Sequence, residues 1–187
     1  MKRNFGSIVL TVSAAVMVLA SCASSQHVDT SQIPDWVKNQ PTSKDTFYGI
    51  GIAKMSDLNL SRETAIARAR NEVAQDVALR VKTALTDYQQ QAGSADKQQA
   101  LNFTETVSRQ IADVTLKGSV VEKTVIADDG TVYALVSYPV ASVLASAGQT
   151  FKRNEAASYA EFKANDALKQ LNQELQNSPP KTGVLDH

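Results

Sequence analysis

The chain has 187 residues, 43% of them hydrophobic, and its 19 basic and 19 acidic side chains give a formal net charge of zero. That length holds one ordinary domain, and the charge balance excludes the basic stripe a nucleic-acid partner needs. One cysteine rules out an internal disulfide, and two histidines leave little for metal or acid–base chemistry.

Lys2 and Arg3 open the chain, and an apolar run follows over residues 8–20, interrupted only by Thr11 and Ser13. A run of about 13 residues is too short to cross a bilayer, which needs about 20, but it suits the core of a secretory signal peptide. Its end, Leu19-Ala20-Ser21-Cys22, resembles the lipobox of bacterial lipoproteins. The resemblance implies cleavage after Ser21, diacylation of Cys22 and acylation of the new amino terminus. Each buried methylene contributes about 0.8 kcal/mol, so two or more chains anchor stably where one does not. Ala23 stands where inner-membrane retention typically has an aspartate, which resembles outer-membrane sorting. Without residues 1–21 the chain keeps 166, with 17 basic and 19 acidic side chains and a net charge of about −2. A body of that size can build a hydrophobic core without staples.

Residues 22–33 carry the lipidated cysteine and a Ser/Gln/Thr-rich stretch that reads as a flexible tether. His27 within it has no second histidine nearby and reads as solvated. The domain opens at Pro34-Asp35-Trp36-Val37, with Trp36 packing on the body as a lid. Residues 46–53 alternate as a strand. Tyr48, Ile50 and Ile52 fall on one face, while Gly49, Gly51 and Ala53 leave the other nearly smooth, inviting close approach of a neighbouring element. Gly49-Ile50-Gly51 is no dinucleotide loop, because its glycines lie inside the strand and Lys54 replaces the third. A long helix is predicted over residues 60–88, with Asn59 or Ser61 as N-cap and Ile66, Val73, Val77, Val81, Ala84 and Tyr88 in one stripe. Arg70 interrupts that stripe. Its stem either lies on the core with the head in water, or the head pairs with a buried carboxylate.

After a break containing Gly93, a second helix is predicted over residues 96–112, with Ala100, Leu101, Thr104, Val107 and Ile111 inward. A hairpin follows, with strands at 115–127 and 131–138 joined by Asp128-Asp129-Gly130. The paired aspartates lack the other ligands of a calcium loop and read as a turn. Pro139 ends the last strand. A short helix over 140–147 is closed by Gly148, and a final helix over 154–176 buries Ala157, Ala160, Ala164, Leu168, Leu171 and Leu175. The same wheel puts Phe151, Tyr159 and Phe162 on the opposite face, where they are expected to meet a partner. Residues 178–187, with Pro179 and Pro180, read as a tail.

The fold class expected is α+β: a three-stranded sheet with an antiparallel hairpin, covered by the long helix, with a helical extension after it. The divisions are 1–21 leader, 22–33 tether, 34–140 domain, 141–177 extension and 178–187 tail. Pro34-Asp35-Trp36-Val37, Tyr48-Gly49-Ile50-Gly51-Ile52-Ala53, the run from Ala65 to Arg70 and the stretch from Asp128 to Val136 together resemble the LPP20 type of outer-membrane lipoprotein. The resemblance implies an envelope lipoprotein with a compact α+β domain and no catalytic residues; one such protein belongs to a flagellar basal disk. The expected role is non-enzymatic binding or scaffolding at the outer membrane, the alternative being a self-assembling structural subunit at the flagellar base. Partners are the membrane through the lipid, and a second copy or another envelope protein. No cofactor, metal or catalytic residue is expected, since both histidines lie in tails and no nucleophile elbow or phosphate loop occurs.

Overall fold

Several helices and one small sheet are arranged around the smooth face of the first strand. The computed structural model describes residues 30–93, 96–158 and 162–178. The leader and Cys22 lie outside the described residues, as does the 178–187 tail after Ser178. From Thr30 onward the order is a 3-10 turn (Thr30–Gln32), α1 (Asp35–Lys38), β1 (Thr46–Ala53) and α2 (Leu58–Ala92). Then come α3 (Lys97–Gly118), β2 (Val120–Ile126), β3 (Val132–Pro139), α4 (Val140–Asn154), a 3-10 turn (Glu155–Ala157) and α5 (Ala164–Asn177). The fold is α+β, as the sequence indicates.

The sheet has the order β1-β3-β2, with both pairings antiparallel. β1 runs in register with β3 from Thr46 opposite Pro139 to Ala53 opposite Val132. β2 pairs the other side of β3 with one irregularity between Val121 and Lys123. As the central strand, β3 is buried along its length from Val132 to Tyr138. The turn between β2 and β3 is closed by Gly130 at φ 84°, and Asp129 accepts hydrogen bonds from the Thr131 amide and hydroxyl.

α2 lies directly on the glycine face. A Cβ placed on Gly51 would stand 1.8 Å from the Ala65 carbonyl oxygen, and one on Gly49 would stand 2.3 Å from that of Ala69. Helix and strand backbones therefore touch, which only glycine on one side and alanine on the other permits. Phe47 and Ala53, on the same face of β1, are buried with them. Asp57, rather than Asn59 or Ser61, caps α2 by accepting from the Leu60 amide at 2.9 Å. Ser61 is buried instead, donating to the Asp57 carbonyl and accepting from the Met55 amide. It fixes the loop that brings β1 into the helix.

Length then dictates the rest. A 35-residue helix is about 52 Å long, whereas an eight-residue strand covers about 26 Å. The helix is longer than the strand it covers, and in its second half Val77, Val81, Ala84, Leu85 and Tyr88 are buried. α3 and α5 pack on it, and α4 joins those two. Along α3 the inward residues are Ala100, Thr104, Val107, Ser108, Ile111 and Thr115; Leu101, expected inside, is exposed.

The extension departs from expectation at two places. Gly148 does not end α4, which continues to Asn154; its missing side chain makes room for Leu168 of α5, whose Cδ2 would lie 3.2 Å from an added Cβ. The final helix is interrupted after Asn154, and the interruption turns Phe162 inward. Phe162 meets Phe103 at 4.5 Å between ring centroids, Tyr88 at 5.8 Å and Phe151 at 6.1 Å, the last two edge-to-face. Burying a phenylalanine contributes about 1.5–3 kcal/mol, more than the few helical hydrogen bonds lost at the break.

Gly51→Ala tests the backbone contact. It is expected to lower stability to urea by about 3 kcal/mol, at the upper end for overpacking, because the nearest atom is a carbonyl that cannot swing aside. A loss below about 1 kcal/mol would show that α2 lifts freely from β1.

Candidate functional site

The two edges of the sheet differ in how far their outward backbone is engaged. Three of the outward backbone groups of β1 are taken by side chains. The Gln40 amide donates to the Tyr48 carbonyl at 3.0 Å, the Ile50 amide donates to Glu72 at 2.6 Å, and Arg68 donates to the Ile52 carbonyl. Two of these side chains come from α2 one turn apart, so the helix that packs on the strand also seals its rim. Burial raises the Glu72 carboxyl above the ordinary range against the pull of the Ile50 hydrogen bond, and Asp76 adds to the rise. That perturbed carboxyl is engaged with backbone, so it serves the strand rather than a substrate.

β2 is bare by comparison. Ala127 donates to the Thr131 carbonyl, and with Ile126 opposite Val132 this alternation turns the peptides of Thr124 and Ile126 to the free edge. Among the described residues no side chain bonds to them. Every residue of β2 except Val121 is exposed, Val120 at 55% and Val125 at 37%. Open backbone flanked by β-branched side chains is the surface on which another strand pairs.

The turn at the end of this edge is tied down. Lys54, just after β1, reaches Asp129 at 2.9 Å, and Gln32 bonds both the Asp128 carboxylate and its amide. Gln32, assigned to the tether from sequence, is thus joined to the body. The Lys54 hydrogen bond and those from Thr131 hold the Asp129 carboxyl down at about 2. Burial raises the Tyr133 hydroxyl, with the Asp129 charge contributing.

Arginine placement also departs from the pattern in the sequence. Arg80 is the buried one, 7% exposed, and it bonds Asp76 at 3.3 Å, Glu174 at 3.4 Å and the Ser178 carbonyl at 2.7 Å. It clamps α5 to α2. Removing one partner from such a buried pair typically costs about 3–5 kcal/mol, because a charge is left behind. Arg80 falls between the apolar positions of α2, and its signal was Asp76 one turn upstream. Among the described residues Arg70 has no ion-pair partner; it is half-buried, and its Nε is shielded from water with no hydrogen-bond partner there.

Of the aromatic residues expected to meet a partner, Phe151 and Phe162 are 0% and 1% exposed. They form the core between α3, α4 and α5 and are not presented outward, because the break after Asn154 shifts their helical phase. Tyr159 and Cys22 lie outside the described residues. Trp36 is half-buried. Among the described residues no group of three or more His, Cys, Asp or Glu side chains is placed to hold a metal. No described helix is long and apolar enough to cross a membrane.

The family model of LPP20 lipoproteins matches residues 34–139, more than half of the chain. The chain belongs to the LPP20 lipoprotein family. LPP20 lipoproteins are not known as enzymes, and the matched region runs from α1 to the end of β3, leaving α4 and α5 as an addition. Both sheet edges, the hairpin turn and the whole of α2 therefore belong to the LPP20 region. No curated protein and no solved structure matches the chain.

The turn gives a pH-dependent readout. Asp129 has a depressed carboxyl, so its contribution is present above the ordinary value of 3.8 and fades as pH falls toward about 2. Carbon-detected NMR of the side chain should place its midpoint near the lower value, and Lys54→Met should move it back up. An unmoved midpoint in that variant would assign the depression to Thr131 alone.

Proposed function

We propose that this LPP20 lipoprotein is held in the outer membrane by acyl chains on Cys22 and acts there as a non-enzymatic binding or scaffolding module. Leu19-Ala20-Ser21-Cys22 and Ala23 support the anchor and its destination. The observation that carries the binding role is the asymmetry of the sheet, one rim closed by Gln40, Arg68 and Glu72 and the other open along β2. Its ligand is an extended, β-branched segment of another envelope protein, adding as a strand beside Thr124 and Ile126. This surface takes the place of the aromatic patch expected from sequence.

The anchor is tested by Cys22→Ser in cells. Wild type should incorporate acyl label and fractionate with outer membrane, and the variant should lose both. Membrane retention of an unlabelled variant would overturn the anchor.

Strand addition is tested by photo-crosslinking from two exposed positions on the same face, Val125 on the open rim and Ile52 on the closed one. Adducts with another envelope protein should form from Val125 and not from Ile52. Thr124→Pro should abolish them with little loss of stability, since the amide it removes faces outward and takes no part in the β2–β3 ladder. Equal yields from both positions, or adducts only with a second copy, would overturn this reading.

A further inference from the structure

Arg70 stands in a groove of about 500 Å³ between α2, the last turn of α3 and β2. One stripe of α2 lines it with Glu63, Ile66, Ala67, Arg70 and Asn71, at the spacing of a single helix face. Leu116, Lys117 and Val121 form the opposite wall. Three aliphatic side chains, those of Ile66, Leu116 and Val121, are half-buried and floor the groove. Two cations face it. Neither Arg70 nor Lys117 forms an ion pair among the described residues, and Glu63 sits seven positions before Arg70, about 10 Å along the helix.

A shielded guanidinium nitrogen without a partner is unusual. Such groups cost about 1–3 kcal/mol when nothing accepts from them, and Arg70 Nε is in that state. Arginine keeps its charge and offers a planar fork that matches a carboxylate or phosphate in bidentate fashion. The Lys117 ammonium supplies a second, movable donor, and the Asn71 amide a third. Volume, apolar floor and few polar groups at one end are the features of a small-molecule site.

We infer that the groove binds an amphiphilic oxyanion, a carboxylate or phosphate head bearing a short aliphatic body. The head accepts from Arg70 and Lys117, and the body lies on Ile66, Leu116 and Val121. A lone inorganic anion would leave the apolar floor unused, and a neutral alcohol would leave the cations unpaired. Strand addition at β2 is not needed for this site, and either can fail without the other.

Equilibrium dialysis of the full chain tests it, with Cys22→Ser in every sample so that no attached acyl group competes. The probes are octanoate, octyl phosphate, inorganic phosphate and octanol. Octanoate or octyl phosphate should bind at one per chain, the better of the two naming the head group. Arg70→Gln and Lys117→Gln should each weaken that binding by about tenfold or more, equivalent to about 1.4 kcal/mol. Lys117 is exposed, so its variant reads the site even if Arg70→Gln perturbs folding. Octanol binding as tightly as octanoate would overturn the oxyanion assignment, and inorganic phosphate binding as tightly as octyl phosphate would overturn the aliphatic one. Unchanged affinity in Lys117→Gln, or no binding of any probe, would remove the site.

Discussion

The contact between the backbones of β1 and α2 is the constraint from which the other features follow. Gly49 and Gly51 leave the strand without side chains where Ala65 and Ala69 of the helix lie, so the two approach to the limit of their main chains. Close approach brings Arg68 and Glu72 within reach of the outward peptides of β1, where they replace a neighbouring strand. A helix held off by larger side chains would leave that rim open. The packing that holds the fold also decides which rim can pair.

The length of α2 is a second constraint. Toward its C-terminal half the helix buries Val77, Val81, Ala84 and Leu85, and α3 and α5 pack on the helix, with α4 joining those two. Two contacts hold the addition on: the buried Arg80 with Asp76, Glu174 and the Ser178 carbonyl, and Phe162 among Tyr88, Phe103 and Phe151. Around the aromatic plug the polar groups are matched too, the Lys163 amide donating to the Tyr88 hydroxyl and the Ala164 amide to Glu155. The exposed Lys82–Glu105 pair also links α2 to α3, but solvent screening leaves such pairs worth well under the buried contacts.

The sheet, the long helix and the hairpin turn were legible because each rests on a local pattern. Alternation with glycines on one face marked β1 and its close neighbour, and Asp128-Asp129-Gly130 marked the turn. The extension was read less well. A wheel drawn through residues 154–176 assumes unbroken phase, whereas Phe162 breaks the helix to reach a cavity formed by Tyr88 and Phe103 from distant segments. Gly148 carried a stop signal that α4 overrides because Leu168 needs the space. Arg70 was singled out because it falls in the apolar stripe, whereas Arg80 lies between apolar positions and finds its carboxylates in Asp76, one turn upstream, and in Glu174 of α5, 94 residues further on. Nor could alternation tell the open rim from the closed one, since Gln40, Arg68 and Glu72 act across the fold.

An assembly built by strand addition inherits its stoichiometry from the rims. A sheet open at both edges can recruit a strand on each side and repeat the step without end, which is the route to fibres. Here three outward groups of the β1 rim are engaged from within the chain, which leaves β2 the more open of the two rims. The outward residues of the helices, such as Leu79 and Leu101, stand singly among polar neighbours. Isolated apolar side chains of that kind are ordinary surface. Among the described residues the exposed backbone of β2 is therefore a more distinctive surface than these helix faces.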